Sequence, residues 1–273
     1  MIRLNFTNPV PHGCGTGAYM DVLTAYLENS NGSTSLGHCQ TQHKGKTMID
    51  KKHILITGAS RGIGLAIARR LQKPSNALHL IARSITPSPE LEDAYLYSID
   101  LTNPIHITEL QKKIERNTPK IDVLINNAGC YVEKSLEDTD IRDFDQLFYT
   151  NLRGPMLLTQ ALLPLLGLAK APLIINVSSS GALNTGHHGN THAVYAASKA
   201  ALTRFSDAMR EEFNRKHIRI TTLHPAGVNT WNAENPAALL IPEDIAYTVQ
   251  HVVDSHPRCQ FSNIEMAAVD AHR

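Results

Sequence analysis

Cysteine is scarce in this chain: Cys14, Cys39, Cys130 and Cys259 are the only four, and no two of them form a Cys-x-x-Cys pair. That spacing fits neither a disulfide framework nor a zinc site of the usual kind, and it favours reduced thiols in a cytoplasmic protein. Long apolar runs are missing too. The longest candidate, 156–168, is interrupted by Thr159, Gln160, Pro164 and Gly167 and falls short of the roughly 18 residues that a membrane span requires. Charge of one sign is not in excess either. With 26 Lys and Arg against 25 Asp and Glu, and no basic run, neither nucleic acid nor an anionic membrane is an expected partner.

The first 47 residues are rich in Gly, Asn, Ser, Thr and His and show no sustained periodicity, although one short helix is legible at 18–27. They lack the basic start and apolar stretch of a secretory signal. Such a segment has little apolar surface to offset its ordering entropy, so 1–47 is expected to be a flexible or non-core extension. Met48 stands directly before the first strand-like run, and 48–273 is expected to be the working domain. With 42% apolar residues overall, the chain is long enough to bury one sizeable core.

From residue 53 onward, β-rich apolar runs alternate with helical patterns. Strands are expected at 53–57, 77–82, 94–98, 123–126, 173–178 and 218–223, with an edge strand near 263–267. Helices are expected at 63–71, 105–116, 140–168, 193–216 and 242–254. This alternation predicts an α/β fold: a doubly wound parallel sheet of the Rossmann type in one domain, with function in the loops that follow strands.

Directly after the first strand comes Thr57-Gly58-Ala59-Ser60-Arg61-Gly62-Ile63-Gly64, and a helix-period run follows it. Glycines there let the backbone turn tightly, approach a pyrophosphate and pack the helix on the sheet, while the helix N-terminus offers free N–H groups to the phosphates. The earlier run Gly13 to Gly17 has no strand or helix around it and reads as flexible chain. Charge then bears on which dinucleotide is bound. Arg61 lies in the turn and Arg83 follows the second strand, where Ala82-Arg83-Ser84 offers no acid to hold a free ribose hydroxyl or repel a phosphate. NADP is therefore expected over NAD.

Further along stand Asn126-Asn127-Ala128-Gly129, then Asn151, the serine run 178–180, and Tyr195-x-x-x-Lys199. Spacing of four on a helix puts Tyr195 and Lys199 on one face, where an ammonium can lower the pKa of a phenol that is otherwise a poor base at neutral pH. In content and order these motifs resemble the short-chain dehydrogenase/reductase family, over about four-fifths of the chain.

The resemblance implies that Tyr195 exchanges a proton with a carbonyl or alcohol substrate while hydride passes to or from the nicotinamide. It implies that Lys199 holds the nicotinamide ribose and that Asn151 anchors a water linked to it. A serine after the fifth strand polarises the substrate oxygen. Ser179, second in the Asn-Val-Ser-Ser pattern, is the choice, with Ser180 and Ser178 as alternatives. The cofactor surface implied is Gly58, Ser60, Arg61, Ile63, Gly64, Arg83, Asp100, Leu101, Asn127, Ala128, Gly129, Val228 and Thr230, together with Tyr195 and Lys199. A homodimer or homotetramer is also implied.

Two stretches depart from the family pattern. Ala226 occupies a place where glycine is usual, and 85–92 is too short for a full helix between the second and third strands. His187, His188 and His192 lie together before Tyr195, but no cysteine or acid stands near enough in sequence to complete a zinc site, so no metal is expected and a substrate contact is open. Trp231 begins a short lid, 231–241, that either packs or touches substrate. The opposing reading is a catalytically silent dinucleotide sensor or scaffold, which would have no physical need for an acidified phenol beside an ammonium.

Overall fold

Ile54, Leu55 and Ile56 leave no polar position for solvent, so this run is stable only as a strand covered on both faces, and it forms the centre of β1 (Lys52–Thr57). In the computed structural model, residues 51–183, 192–230 and 239–269 are described. Around β1 assemble β2 (Asn76–Ala82), β3 (Tyr95–Ser98), β4 (Val123–Asn126), β5 (Leu173–Val177), β6 (Arg219–Pro225) and β7 (Asn263–Met266). The sheet order is β3-β2-β1-β4-β5-β6-β7 and every pairing is parallel.

Alternate strand residues feed two separate cores. Ile54 and Ile56 pack with Ile67 and Leu71 of α1 (Gly62–Leu71) and with Val249 and Val252 of α6 (Pro242–Asp254). Leu55 faces the other way, toward a core that includes Leu110 of α2 (Pro104–Asn117), Leu158 of α4 (Gly154–Leu166) and Phe213 of α5 (Ala193–Phe213). The result is the expected doubly wound Rossmann fold. Strand order reverses between β1 and β4, so the crevice for a ligand opens beyond Thr57 and Asn126.

The helix expected over 140–168 is interrupted. α3 (Ile141–Phe148), which starts on an Asp140–Asp143 capping box, gives way to a π turn at Tyr149–Arg153 before α4 begins. Pro155 contributes: it has no N–H for the carbonyl of Asn151, and just before it Gly154 N donates to Tyr149 O, five residues back, where an α-helix would use Thr150 O. The connection between β2 and β3 holds only a 3-10 turn, Pro89–Leu91, where the family would place a helix.

Candidate active site

The glycine turn has the geometry its sequence implies. Gly58 and Gly62 take φ of 67° and 54°, a region that side chains disfavour. A Cβ on Gly64 would lie 2.2 Å from the Gly58 oxygen and 2.6 Å from the Asn127 amide nitrogen, so no larger residue fits. Helix α1 starts from Arg61 with no side-chain cap, which leaves its first N–H groups open toward the turn. Ser60 and Arg61 are exposed beside it and Ile63 is half-buried.

Asn127 ties this turn to β4. Its amide donates to Thr57 O at 2.9 Å, while Asn127 N and Ala128 N both donate to the Thr57 hydroxyl at 3.0 and 2.9 Å. From the far side, Thr230 closes on Gly62: its methyl would be 3.2 Å from a Cβ there. Val228 bridges Leu240, and Ala226 N donates to Met266 O at 2.8 Å. Ala226 adopts no positive φ, so this backbone path needs no glycine at 226.

On the adenosine side, Arg83 is exposed at the end of β2 and Leu101 is buried. Asp100 accepts from the Thr102 N–H at 2.9 Å and from its hydroxyl at 2.8 Å. Burial works to raise its pKa, but those hydrogen bonds and the charges of Arg83 and His106 hold it below the usual value. A cavity of about 260 Å³ opens between the glycine turn and the short 85–92 stretch. Its rim carries the hydroxyls of Ser60, Ser84, Thr86 and Ser88, together with Arg69.

The reacting groups gather at the ends of β4 and β5 and on α5. Asn151 is fully buried within the π turn. It accepts from Cys130 N at 2.9 Å and donates to Cys130 O and to the Ser198 hydroxyl, each at 3.0 Å. Ser198 in turn donates to Tyr195 O at 2.7 Å, so the π turn and α5 are bound to each other. Lys199 is buried and its Nζ donates to Val177 O at 3.0 Å. Gly129 lies against both: a Cβ there would be 3.2 Å from Asn151 Oδ1 and 3.3 Å from Lys199 Nζ.

The serine run separates by environment. Ser178 is buried and occupied by Lys199 O and Thr203, Ser180 is buried at the start of a 3-10 turn, and Ser179 alone hydrogen-bonds the Tyr195 phenol. Tyr131 meets Tyr195 edge to face at 4.9 Å, and the His192 ring lies 5.6 Å from Tyr131.

Electrostatics here depart from the sequence expectation. The Tyr195 phenol is not lowered by Lys199. Burial raises it, with Tyr131 and Cys130 adding to the rise and the Ser179 hydrogen bond opposing it. Lys199, drawn to the floor of the sheet, is itself lowered to about 8 by burial, against a smaller pull from Cys130. In this state, then, the phenol is held protonated and the Lys199 ammonium gives up its proton more readily than an ordinary lysine. Burial also pushes the Cys130 thiol up.

Sequence reasoning missed Ser198, Tyr131 as a ring contact of Tyr195, and the role of Cys130 in seating Asn151. Of these, only the position of Cys130 directly after Gly129 was a local signal. His187, His188 and Trp231 fall outside the described residues. Among the described residues no group of His, Cys, Asp and Glu is arranged to hold a metal, and no helix is long and apolar enough to cross a membrane.

Residues 52–238 match the profile of a family described as short chain dehydrogenase. An uncharacterised oxidoreductase of Staphylococcus epidermidis is 28% identical over 67% of this chain and 80% of its own length. A fatty acyl-CoA reductase of Acinetobacter baylyi is 31% identical over 76% of this chain and 74% of its own length. Among solved structures, an alcohol dehydrogenase from the archaeon Thermococcus sibiricus, complexed with 5-hydroxy-NADP, superposes with a TM-score of 0.72. It is 25% identical, and the match covers 80% of this chain and 97% of that one.

Proposed function

This chain belongs to the short-chain dehydrogenase/reductase family, and we propose that it is an NADP(H)-dependent oxidoreductase that interconverts a small carbonyl compound and its alcohol. The observation that carries the reading is the meeting of Ser179, Tyr195, Lys199 and Asn151 at the same sheet end as the glycine turn. A nicotinamide dinucleotide, when bound, supplies or accepts the hydride. Its phosphates fit the crowded cradle at Gly58, Gly62 and Gly64, where an added Cβ would collide or force a disfavoured backbone.

In the reducing direction, Tyr195 is the general acid. Its O–H bond breaks and the proton passes to the substrate oxygen, which the Ser179 hydroxyl holds by hydrogen bond. A phenol kept protonated by burial is suited to that direction. Lys199, once its ammonium is turned toward the phenolate left behind, stabilises that charge. Asn151 keeps the 129–130 backbone and α5 in fixed relation through Cys130 and Ser198. Running the same steps backwards serves alcohol oxidation.

Exposed Arg61 and Arg83, the hydroxyl-rimmed cavity that Ser60 and Ser84 border beside them, and the lack of an acid at the end of β2 support a ribose 2′-phosphate and hence NADP. NADPH or NADH consumption with a panel of aldehydes and ketones tests this. Turnover is expected with NADPH at a higher kcat/KM than with NADH. An equal or better NADH efficiency refutes the cofactor preference, and bound NADPH without any turnover makes the protein a dinucleotide sensor.

A further inference from the structure

His224 has no part in the reading above, yet its imidazole is enclosed to 1% exposure in β6, beside the serine turn. A ring buried there needs partners for both nitrogens. Nδ1 lies 3.3 Å from the Ser179 carbonyl oxygen, and Nε2 lies 3.1 Å from Asn263 Oδ1 on β7. A carbonyl only accepts, so Nδ1 carries the hydrogen. In the neutral ring Nε2 accepts, so the Asn263 amide is assigned with its oxygen and nitrogen interchanged, which puts the NH2 where Oδ1 stands.

The backbone explains why such a bond is wanted. Val177 pairs with Leu223, and Ser178 N donates to Leu223 O at 2.8 Å. The next rung of a parallel ladder would need the N–H of residue 225, which is proline. The sheet therefore stops holding this chain one residue before Ser179. The Ser179 carbonyl closes its 3-10 turn by accepting from Ala182 N at 3.0 Å, and a second lone pair remains for the ring N–H of His224.

Building on the proposed role of Ser179 and Tyr195, we infer that His224 is a positioning residue: braced by Asn263, it clamps the Ser179 peptide so that the serine hydroxyl stays on the Tyr195 phenol. It touches neither substrate nor cofactor in this scheme. Its effect is on where the substrate oxygen is held, and small displacements there cost much in rate.

The full chain carrying His224→Asn, His224→Gln or His224→Leu separates the contacts. Asn places an amide N–H near the Nδ1 position, Gln places one near Nε2, and Leu supplies none. Turnover is followed with NADPH and two probes, 2,3-butanedione and 9,10-phenanthrenequinone, and NADPH affinity by fluorescence. A third readout needs no turnover: the carbon-13 resonance of the Tyr195 Cζ, assigned by its loss in Tyr195→Phe, which reports the hydrogen bond at the phenol.

His224→Gln and His224→Leu are expected to lower kcat by about 10- to 100-fold, the scale of a roughly 1 Å misplacement, with NADPH affinity unchanged and the Tyr195 resonance shifted. His224→Asn is expected to rescue both kcat and the resonance. An Asn variant as impaired as Leu, or Gln and Leu variants that match the parent in both readouts, overturns the clamp. If His224→Leu does not fold, the Asn and Gln variants decide between them. If the parent turns over neither probe, the carbonyl chemistry fails, and the Tyr195 resonance alone decides for or against the clamp.

Discussion

Lys199 carries the largest tension between folding and function at the residue scale. Its folded pKa of about 8 lies below the 10.5 of an ordinary lysine, so burial disfavours the charge that the proposed chemistry uses. For a lysine lowered in this way, the unfolded chain holds more protons between those two values, and stability rises with pH across that window. Below about pH 8 the charged amine costs the fold about 3 kcal/mol, at about 1.4 kcal/mol per unit. Lys199→Met is therefore expected to abolish turnover while raising stability at pH 7 by about 1–3 kcal/mol in denaturant unfolding. A variant less stable than the parent contradicts this. Gly64→Ala tests the cradle: a Cβ 2.2 Å from the Gly58 oxygen is expected to cost NADPH affinity at least about tenfold, read by fluorescence titration. Arg83→Glu, with an acid at the end of β2, is expected to raise the NADH-to-NADPH ratio of kcat/KM by about tenfold or more.

Among the elements, β1, β2 and β3 share a polar chain that runs from half-buried His53 to buried His79 and Tyr97. His53 Nδ1 lies 3.1 Å from His79 Nε2, His79 Nδ1 lies 3.1 Å from the Tyr97 hydroxyl, and Asn117 donates to that hydroxyl at 3.1 Å. Burial, helped by His53, lowers His79 from 6.5 to about 3. Because the folded value is the lower one, its contribution is complete above about pH 6.5 and is lost progressively as pH falls toward 3. Between pH 7 and 5 this loss is expected to reach about 2 kcal/mol in urea unfolding, and His79→Leu is expected to be less acid-sensitive by that amount. Equal slopes in the two proteins reject the assignment. Elements were also the scale at which the sequence was most readable. The run Ile54 to Ile56 and the glycines of 58–64 are local patterns, and they placed β1 and the turn that follows it. The π turn at Asn151 was not read, although Pro155 marks it, because 140–168 keeps a helical pattern through it. The raised Tyr195 phenol, the Ser198 bond and the ring of Tyr131 depend on burial and on segments far apart in sequence, which periodicity does not report.

At the scale of the whole molecule, the described residues of the sheet from β1 to β7 and of both its cores lie after Met48. We propose that 48–273 is the working domain. A protein starting at Met48 is expected to bind NADPH and turn over like the full chain, and loss of both would contradict that boundary. On the surface, Ile141, Phe144, Tyr149 and Met156 expose apolar side chains along α3, the π turn and α4. We propose that a second copy covers them, so light scattering is expected to give a dimer or larger, and Phe144→Glu with Met156→Glu a smaller species. The most direct test of the whole account is Tyr195→Phe, compared with the parent for NADPH affinity and for turnover of a carbonyl probe. Affinity within about twofold and a kcat lower by about 100-fold or more are expected. Undiminished turnover would contradict the assignment of Tyr195 as the proton donor.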